Sequence, residues 1–516
     1  MTEQVAGAEL IDEAELFRKH FPRRDECGRS AHTMGELCER VGTFVAAAED
    51  QYGAGKSEEW AARFTRTISA CEFLPNLSTL VSAYDRTDTL ADCFVLPVDD
   101  SLRSVIETLG RTAVLQQHGA GVGINFSHVR PRGDLVEKSG GTAGGPLSIL
   151  QLFDSAQQVF EQGRRRPAPL RCLVDVTHPD IFDIVGSAAM QPAKFQHIEL
   201  SVGVTDEFVR ATLDDDSHML VHPRTGRTVR AVRARELHDA ICAAVQPKAG
   251  LVVTFIDAID RANPLGERVE ATSPCGDVPL LAYESCALGS VNLARFVVGG
   301  TIDWGRLDDV VRMAVRFLDD TIDVSGYPFP ELEWAAKATR KIGVGVLGLA
   351  DALACLDTPY DSRRGVHLAA RIAEHIQRSA HSESIALAES RGRYPEAPHS
   401  LTGRARIRRN AQVTSIGPTD TTSMLAGTTP GIEPMRDVQP EWHLRMQATF
   451  QRHVDGAVSK TIELPADADI AEIGSMIVAA WRSKAKSLRL APVDVERKSM
   501  QWSCDLERRL SKLSTT

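Results

Sequence analysis

The chain contains no run of about 18 apolar residues, so a membrane-spanning helix is not expected. Its first residues, MTEQVAGAELIDEAELF, are acidic and lack an apolar signal core, which points to a cytoplasmic protein. The ten cysteines are widely scattered, with no CxxC pair and no Cys/His cluster at zinc spacing. Neither a secreted disulfide framework nor a structural metal site is expected from that pattern. Positive charge is not in surplus. The net charge of −10 argues against a general nucleic-acid surface, and still allows a local basic pocket for a phosphorylated small molecule.

What is present is a long chain of 516 residues, 43% of them hydrophobic, enough for a large core. Length alone gives about three or four domains, a rule that large α/β barrels break. Residues 1–72 read as a polar helical region, with helical apolar spacing in AELFRKHF and EEWAARFTRTISA. From Phe73 onward, short apolar runs (DCFVLPV, GVGINFSHV, HIELSVGV, LVVTFID, AQVTSIG) alternate with helical patterns. The helical ones include SLRSVIETLGRTAVLQQ, ELHDAICAAV, RLDDVVRMAVRFLDDTID and GVHLAARIAEHIQRSAHSESIALAESR. This alternation predicts an α/β fold with a mostly parallel sheet, open or closed. Residues 73–495 form the expected main domain, and 496–516 a polar tail or short terminal helix.

The chemistry concentrates in SPCGDVPLLAYESCALGSVNLARF, residues 273–296. Pro and Gly flank Cys275, which predicts an irregular loop. Asp277 follows two residues later and Cys286 eleven residues later. A cysteine on a tight loop beside an acid is a candidate for radical or nucleophilic chemistry. The competing reading is a pair of buried, small, inert hydrophobes.

This stretch resembles the loop of ribonucleotide reductase large subunits, which reads NPCGE and then YESCNLGS. ADCFVLPVDDS around Cys93 is similar to the family's SACFVLPVEDS. GVGINFSHVRPRGD, SGGTAGGP, FDSAQQVFEQGRRR, DVTHPDIFDI, LSVGVTDEF, ATRKIGVGVLGLADAL, GPTDTTSMLAGTTPGIEP and VDGAVSKTIELP follow in family order over residues 70–465. The resemblance implies a ten-stranded α/β barrel with a central finger loop, preceded by the short helical region. Cys275 would sit at the fingertip as the thiyl radical that takes hydrogen from C3′ of the ribose. Cys93 and Cys286 would supply electrons and protons as water leaves C2′. They would end as a disulfide, which needs Cα atoms within about 7 Å. Asp277 would be the general base, and Ser273 would stand at the ribose-binding position. Substrate would also meet Asn76, Ser78 and Thr79, Gly119 and Gly121, and the run Pro418, Thr419, Asp420, Thr421, Thr422, Ser423. By composition alone the glycines around GVGINFS are a weak phosphate-loop lookalike. Arg164, Arg165 and Arg166 would belong to a specificity loop joining substrate base and effector site, or else to a solvated face.

The radical source implied is adenosylcobalamin. The family's alternatives need a tyrosine pair or a glycine near the C-terminus, and the six tyrosines here are never adjacent and end at Tyr394. The expected partners are a ribonucleotide or ribonucleoside substrate and an external thiol reductant, thioredoxin-like or small. Neither nucleic acid nor membrane is expected, and the protein would be a monomer or homodimer. An external reductant is expected because the tail has one cysteine, Cys504, and no CxxC.

Several letters depart from the family pattern. Ser273 replaces an asparagine and has one hydroxyl where an amide has two donors and a separate acceptor. Asp277 replaces a glutamate and is one methylene shorter. The stretch GRRRPAPLRC replaces GRRRGANMG, and Pro167 and Pro169 stiffen it. The chain also begins too late for the ATP-binding regulatory domain of many relatives. PNLSTL replaces PNSPTL, and PTDTTS replaces PTGTIS, so Asp420 stands where glycine would let a phosphate approach a helix start. A carboxylate at ~4 Å from a phosphate charge costs about 4 kcal/mol at an effective dielectric of 20. Alternatively, Asp420 turns to solvent or caps the helix. Three readings compete: a minimal cobalamin-dependent ribonucleotide reductase; a descendant applying the same chemistry to a nucleoside or monophosphate in specialised metabolism; and a non-catalytic nucleotide-binding homologue. The three retained cysteines argue against the last.

Overall fold

A computed structural model describes residues 33–83, 89–136, 140–161, 168–191, 194–246, 250–465 and 468–492. The AELFRKHF stretch, Arg164, Arg165, Arg166, Pro167 and the 496–516 tail with Cys504 lie outside the described residues.

Two helices, α1 (Met34–Ala46) and α2 (Lys56–Ser69), pack against each other and lead into β1 (Phe73–Pro75). A short helix, α3 (Leu77–Ser82), precedes β2 (Cys93–Leu96). α4 (Leu102–Gln117), β3 (Gly121–Asn125), α5 (Gly145–Phe160), β4 (Leu170–Asp175), β5 (Glu199–Val204) and β6 (Val252–Phe255) continue the alternation. A small hairpin, Ala271–Thr272 paired with Pro279–Leu280, carries the 273–278 loop. After it come β7 (Ser285–Asn292), α6 (Trp304–Val324), β8 (Ile342–Leu347), α7 (Arg363–Arg391), α8 (Asp420–Ala426), β9 (Thr461–Leu464) and β10 (Ser487–Pro492).

These ten strands make one mixed sheet in the order β1-β7-β2-β3-β4-β5-β6-β10-β9, with β8 paired to β7. β2 to β6 run parallel. Antiparallel pairings join β7 to β1 and β2, and β6 to β10. Central strands such as LRCLVD are buried along their whole length, as strands covered on both faces must be. AQVTSIG was expected as a strand but makes only isolated parallel bridges, Val344 to Thr414 and Ile416 to Val458. Pro418 follows at once, and its missing N–H cannot extend a ladder. GVGIN is itself strand β3 rather than a phosphate loop.

Two large apolar clusters fill the molecule, one under α1, α2 and α6 and the other around β2 to β6. A third, small cluster joins the hairpin (Ala271, Val278, Leu280) to Val95, Cys286 and Leu288 of the sheet. The helical N-terminal layer shares the first cluster with the sheet, for example through Phe64 edge-on to Phe317 at 5.0 Å.

Candidate active site

The hairpin fits against the sheet because β3 lacks side chains where it passes. A Cβ on Gly123 would lie 2.0 Å from the Thr272 carbonyl oxygen, and one on Gly121 would lie 2.8 Å from the Pro274 ring. On the other side, the Asp277 carbonyl accepts from Ala457 N–H at 2.6 Å and from Ser415 Oγ at 2.7 Å. At the tip Gly276 takes φ +76, a value glycine adopts without strain. A Cβ there would also meet the Arg171 guanidinium at 2.5 Å. Arg171 is buried and held by Glu199 at 2.6 Å, and Glu199 in turn pairs with Arg489 at 2.7 Å.

Cys93 and Cys286 are direct partners across the antiparallel β2–β7 pair. Facing residues in such a pair have Cα atoms about 4.5–5.5 Å apart, inside the range a disulfide spans. Both are free thiols here. Cys275 lies beside Cys93, and that neighbouring thiol, ahead of burial, pushes the Cys93 thiol well above its usual range. Burial, with the Asp277 charge behind it, pushes Cys286 up as well. Cys275 is half-buried, whereas the pair behind it is buried. The three thiols therefore form one group with a single member facing outward.

Asp277 is 1% exposed. Burial raises its carboxyl above the ordinary aspartate value, and the hydrogen bond from Ser273 pulls it part of the way back. Ser273 Oγ donates to Asp277 Oδ1 at 2.6 Å and accepts from Val278 N–H at 3.1 Å. Asp277 Oδ2 has no hydrogen-bond partner and faces Gly417, where a Cβ would lie 2.6 Å away. Such an oxygen can accept a proton from a bound hydroxyl.

A cavity of about 690 Å³ opens at the fingertip, with Pro274, Cys275, Pro418, Asp420, Thr461 and Arg489 in its wall. Pro418 and Asp420 thus share a cavity wall with Cys275. The other expected contacts are less direct. Ser78 Oγ donates to Asp92 Oδ1, and Thr79 Oγ1 to the Leu90 carbonyl. Asn76 is the N-cap of α3, and Gly119 turns the chain from α4 into β3 at φ +76. Thr419 Oγ1 accepts from Gly431 N–H, Thr422 Oγ1 donates to the Thr419 carbonyl and Ser423 Oγ to the Asp420 carbonyl. Thr421 is half-buried. Asp420 is exposed at the first turn of α8, whose N-cap is Thr419, so the capping position belongs to the residue before it. Asp92, Arg171 and Gln412 belong to the site's surroundings and were not singled out from sequence. Only the adjacency of Asp92 to Cys93 was there to be noticed.

Residues 91–401 and 435–491 match the family described as "Ribonucleotide reductase, barrel domain". The chain is 46% identical over 537 residues, 92% of its length and 78% of the relative's, to the vitamin B12-dependent ribonucleoside-diphosphate reductase of Mycobacterium tuberculosis (strain CDC 1551 / Oshkosh). Against the protein of that name from Thermoplasma acidophilum, identity is 34%, covering 94% of this chain and 72% of the relative. The ribonucleoside-diphosphate reductase large subunit of Vaccinia virus is 27% identical over 61% of this chain and 45% of its own. With the thiol group and the finger hairpin in place, the chain belongs to the ribonucleotide reductase large-subunit family.

Proposed function

We propose that the chain is an adenosylcobalamin-dependent ribonucleoside-diphosphate reductase. The observation that carries this is the convergence of Cys275, Cys93 and Cys286, with the half-buried Cys275 acting on Cys93 and Cys93 facing Cys286 across the buried strand pair. The radical at Cys275 Sγ takes the C3′ hydrogen, and Asp277 Oδ2 accepts the proton of the 3′-hydroxyl. C2′ loses its hydroxyl as water, protonated by one thiol of the Cys93–Cys286 pair, and gains one hydrogen in its place. The pair gives two electrons and two protons in all and becomes a disulfide, and Asp277 returns its proton to the 3′-oxygen. The C3′ hydrogen then returns from Cys275. Adenosylcobalamin, when bound, supplies the oxidising radical that turns the Cys275 thiol into a thiyl. The fit supports it: Cys275 lines an open cavity whose wall also includes the apolar residues Pro169, Ala188 and Phe195.

The isolated bridges at Thr414 and Ile416 supply the contacts through which β8 and β9 would close the sheet into the ten-stranded barrel. The eight cysteines of the described residues are all free, which suits a reducing, cytoplasmic setting and an external thiol reductant. We take residues 73–495 as the catalytic domain, acting as a monomer or homodimer.

The test is incubation with adenosylcobalamin and a dithiol across nucleosides and their mono-, di- and triphosphates, following loss of the 2′-oxygen. Cys275→Ala should abolish turnover and keep the fold. Wild-type activity in that variant would remove the assignment. A second reading, that the substrate carries fewer phosphates, is favoured by the exposed Asp420 carboxylate in the wall of the Cys275 cavity. It expects Asp420→Gly to tighten diphosphate binding selectively. A diphosphate preference of about tenfold, or 1.4 kcal/mol, in the unmodified protein excludes it.

A further inference from the structure

We propose that a second cavity, behind Cys286, is the docking site of a small thiol bearing a carboxylate, and the entry through which the Cys93–Cys286 disulfide is reduced. This rests on the redox-pair reading above. The cavity holds about 340 Å³ and is lined by Ala262, Lys341, Arg408, Gln412, Asp455 and Lys486, among others. None of its wall residues belongs to the wall of the Cys275 cavity. It reaches the redox pair through Gln412, whose amide Nε2 lies 3.9 Å from Cys286 Sγ.

The sheet gives this approach the right direction. Thiol–disulfide exchange needs the attacking sulfur on the S–S axis, opposite the sulfur that leaves. β7 meets β1 along Gly289–Val291 and β8 along its other edge, Ala287–Asn292. β1 gives way to α3 at Asn76, and β2 with Cys93 continues that first edge. β8 lies on the second edge, and beyond it the Ile342 N–H bonds the Gln412 carbonyl. A thiolate arriving past Gln412 therefore faces Cys286 from the side away from Cys93. Gly343 borders this approach, and the space over it is taken up by Leu288 and Ser415, so the Gln412 side chain must swing aside for a thiolate to reach Cys286 Sγ. A Cβ on Gly343 would sit 3.7 Å from Cys286 Sγ and collide with Leu288 at 2.4 Å and Ser415 at 2.8 Å.

The wall selects charge. Lys341, Lys486 and Arg408 stand against one wall carboxylate, Asp455. Lys341 is paired with Glu284 at 2.6 Å. Lys486 donates to two backbone carbonyls, of Asp455 and Gly456, and the carboxylate acting on its charge is Asp455, which it shares with Arg408. Arg408 shares Asp455 with His381, and its Nε is buried without a hydrogen-bond partner. A carboxylate completes this arrangement.

In the reaction, the thiolate forms a bond to Cys286 Sγ. The S–S bond breaks, and its electron pair leaves on Cys93 Sγ, which takes a proton. A second thiol then attacks the mixed disulfide, releasing RSSR and the Cys286 thiol. Two thiols are oxidised and one protein disulfide is reduced, and the reductant never passes Cys275.

The test uses the holoenzyme with adenosylcobalamin and a ribonucleoside diphosphate. Pre-reduced protein makes product once without thiol. Reduction of the resulting disulfide is then timed by thiol trapping and mass spectrometry, with 3-mercaptopropionate or 2-mercaptoethanol at equal thiolate concentration. Ala262→Trp blocks the exposed mouth of the cavity. It should leave the first turnover intact and slow re-reduction at least about tenfold. The wild type should favour the carboxylate thiol by about fivefold, the range of one ion pair, and Lys486→Gln should lose that preference. Wild-type re-reduction rates in Ala262→Trp overturn the proposal, as does a preference that Lys486→Gln keeps. Reduction that bound nucleotide blocks and Ala262→Trp does not would place the entry at Cys275. A first turnover that leaves Cys93 and Cys286 as thiols would instead remove the redox-pair reading itself.

Discussion

At the scale of single residues, Ser273 and Asp277 work as a unit. Ser273 looked like a poor substitute for an asparagine that binds ribose, yet its hydroxyl is spent on Asp277 and on Val278 N–H. Two measurements check this role. Asp277 must be ionised to act as a base, so turnover falls as pH drops through its raised value. Ser273→Ala removes a hydrogen bond that lowers that value, and the acid limb of the pH–rate profile should move to higher pH. Asp277→Asn should reduce turnover by at least about a hundredfold, the usual size of a general-base contribution. It should also raise stability at neutral pH. A carboxyl whose folded value is raised contributes stability below its unfolded value and loses it as pH rises through the folded value, so at neutral pH the buried charge opposes folding. Equal denaturation midpoints for the two proteins at pH 7 would contradict this.

At the scale of elements, the finger hairpin is positioned by absences. Gly123→Ala places a methyl carbon where the Thr272 backbone oxygen now passes, and backbone cannot rotate away as a side chain can. We expect a cost of about 1–3 kcal/mol from overpacking. A fingertip moved by ~1 Å should also lower turnover roughly a hundredfold. Denaturant unfolding and single-turnover rates measure the two effects separately. A Gly123→Ala protein with wild-type turnover would mean that the hairpin does not depend on this contact. Much at this scale was legible in the sequence. α6 and α7 keep a helical apolar stripe for their whole length, and the loop character of 273–278 follows from Pro274 and Gly276. The cysteines were legible because their spacing and flanks are a motif. What lay between strands was not: nothing local says that Cys93 faces Cys286, or that Arg171 lies under Gly276, since both depend on register. AQVTSIG was misread for the same reason, its apolar run being real and its pairing partners too few.

At the scale of the whole molecule, the helical layer ahead of the sheet is tied down by a buried ionic cluster. Glu49 pairs with Arg391 at 2.5 Å and Arg316 at 3.1 Å, and Arg391 also holds Asp319 and Asp320. Burial alone would raise Asp319. The charges of Arg340, Arg409 and Arg391 outweigh it and hold the carboxyl well below the usual range. Arg391→Met strands the buried Asp320 and takes one of the cationic partners from Glu49 and from Asp319, and should cost about 3–5 kcal/mol, read from urea unfolding. A depressed carboxyl contributes stability above its unfolded value and loses it as pH falls through its folded value. Weakening that depression should move acid unfolding to higher pH, and an unchanged acid midpoint would show that Arg391 does not hold Asp319. The finger has a consequence for how the protein comes into being. Its tip is fastened to Ser415, 138 residues downstream of Asp277, and to Ala457 beyond it. During synthesis, Cys275 has no fixed seat until the last strands emerge. A nascent or truncated chain ending before Ala457 should therefore show a Cys275 open to alkylation and be unable to hold a radical. Reactive chemistry would be withheld until the protein is whole enough to contain it.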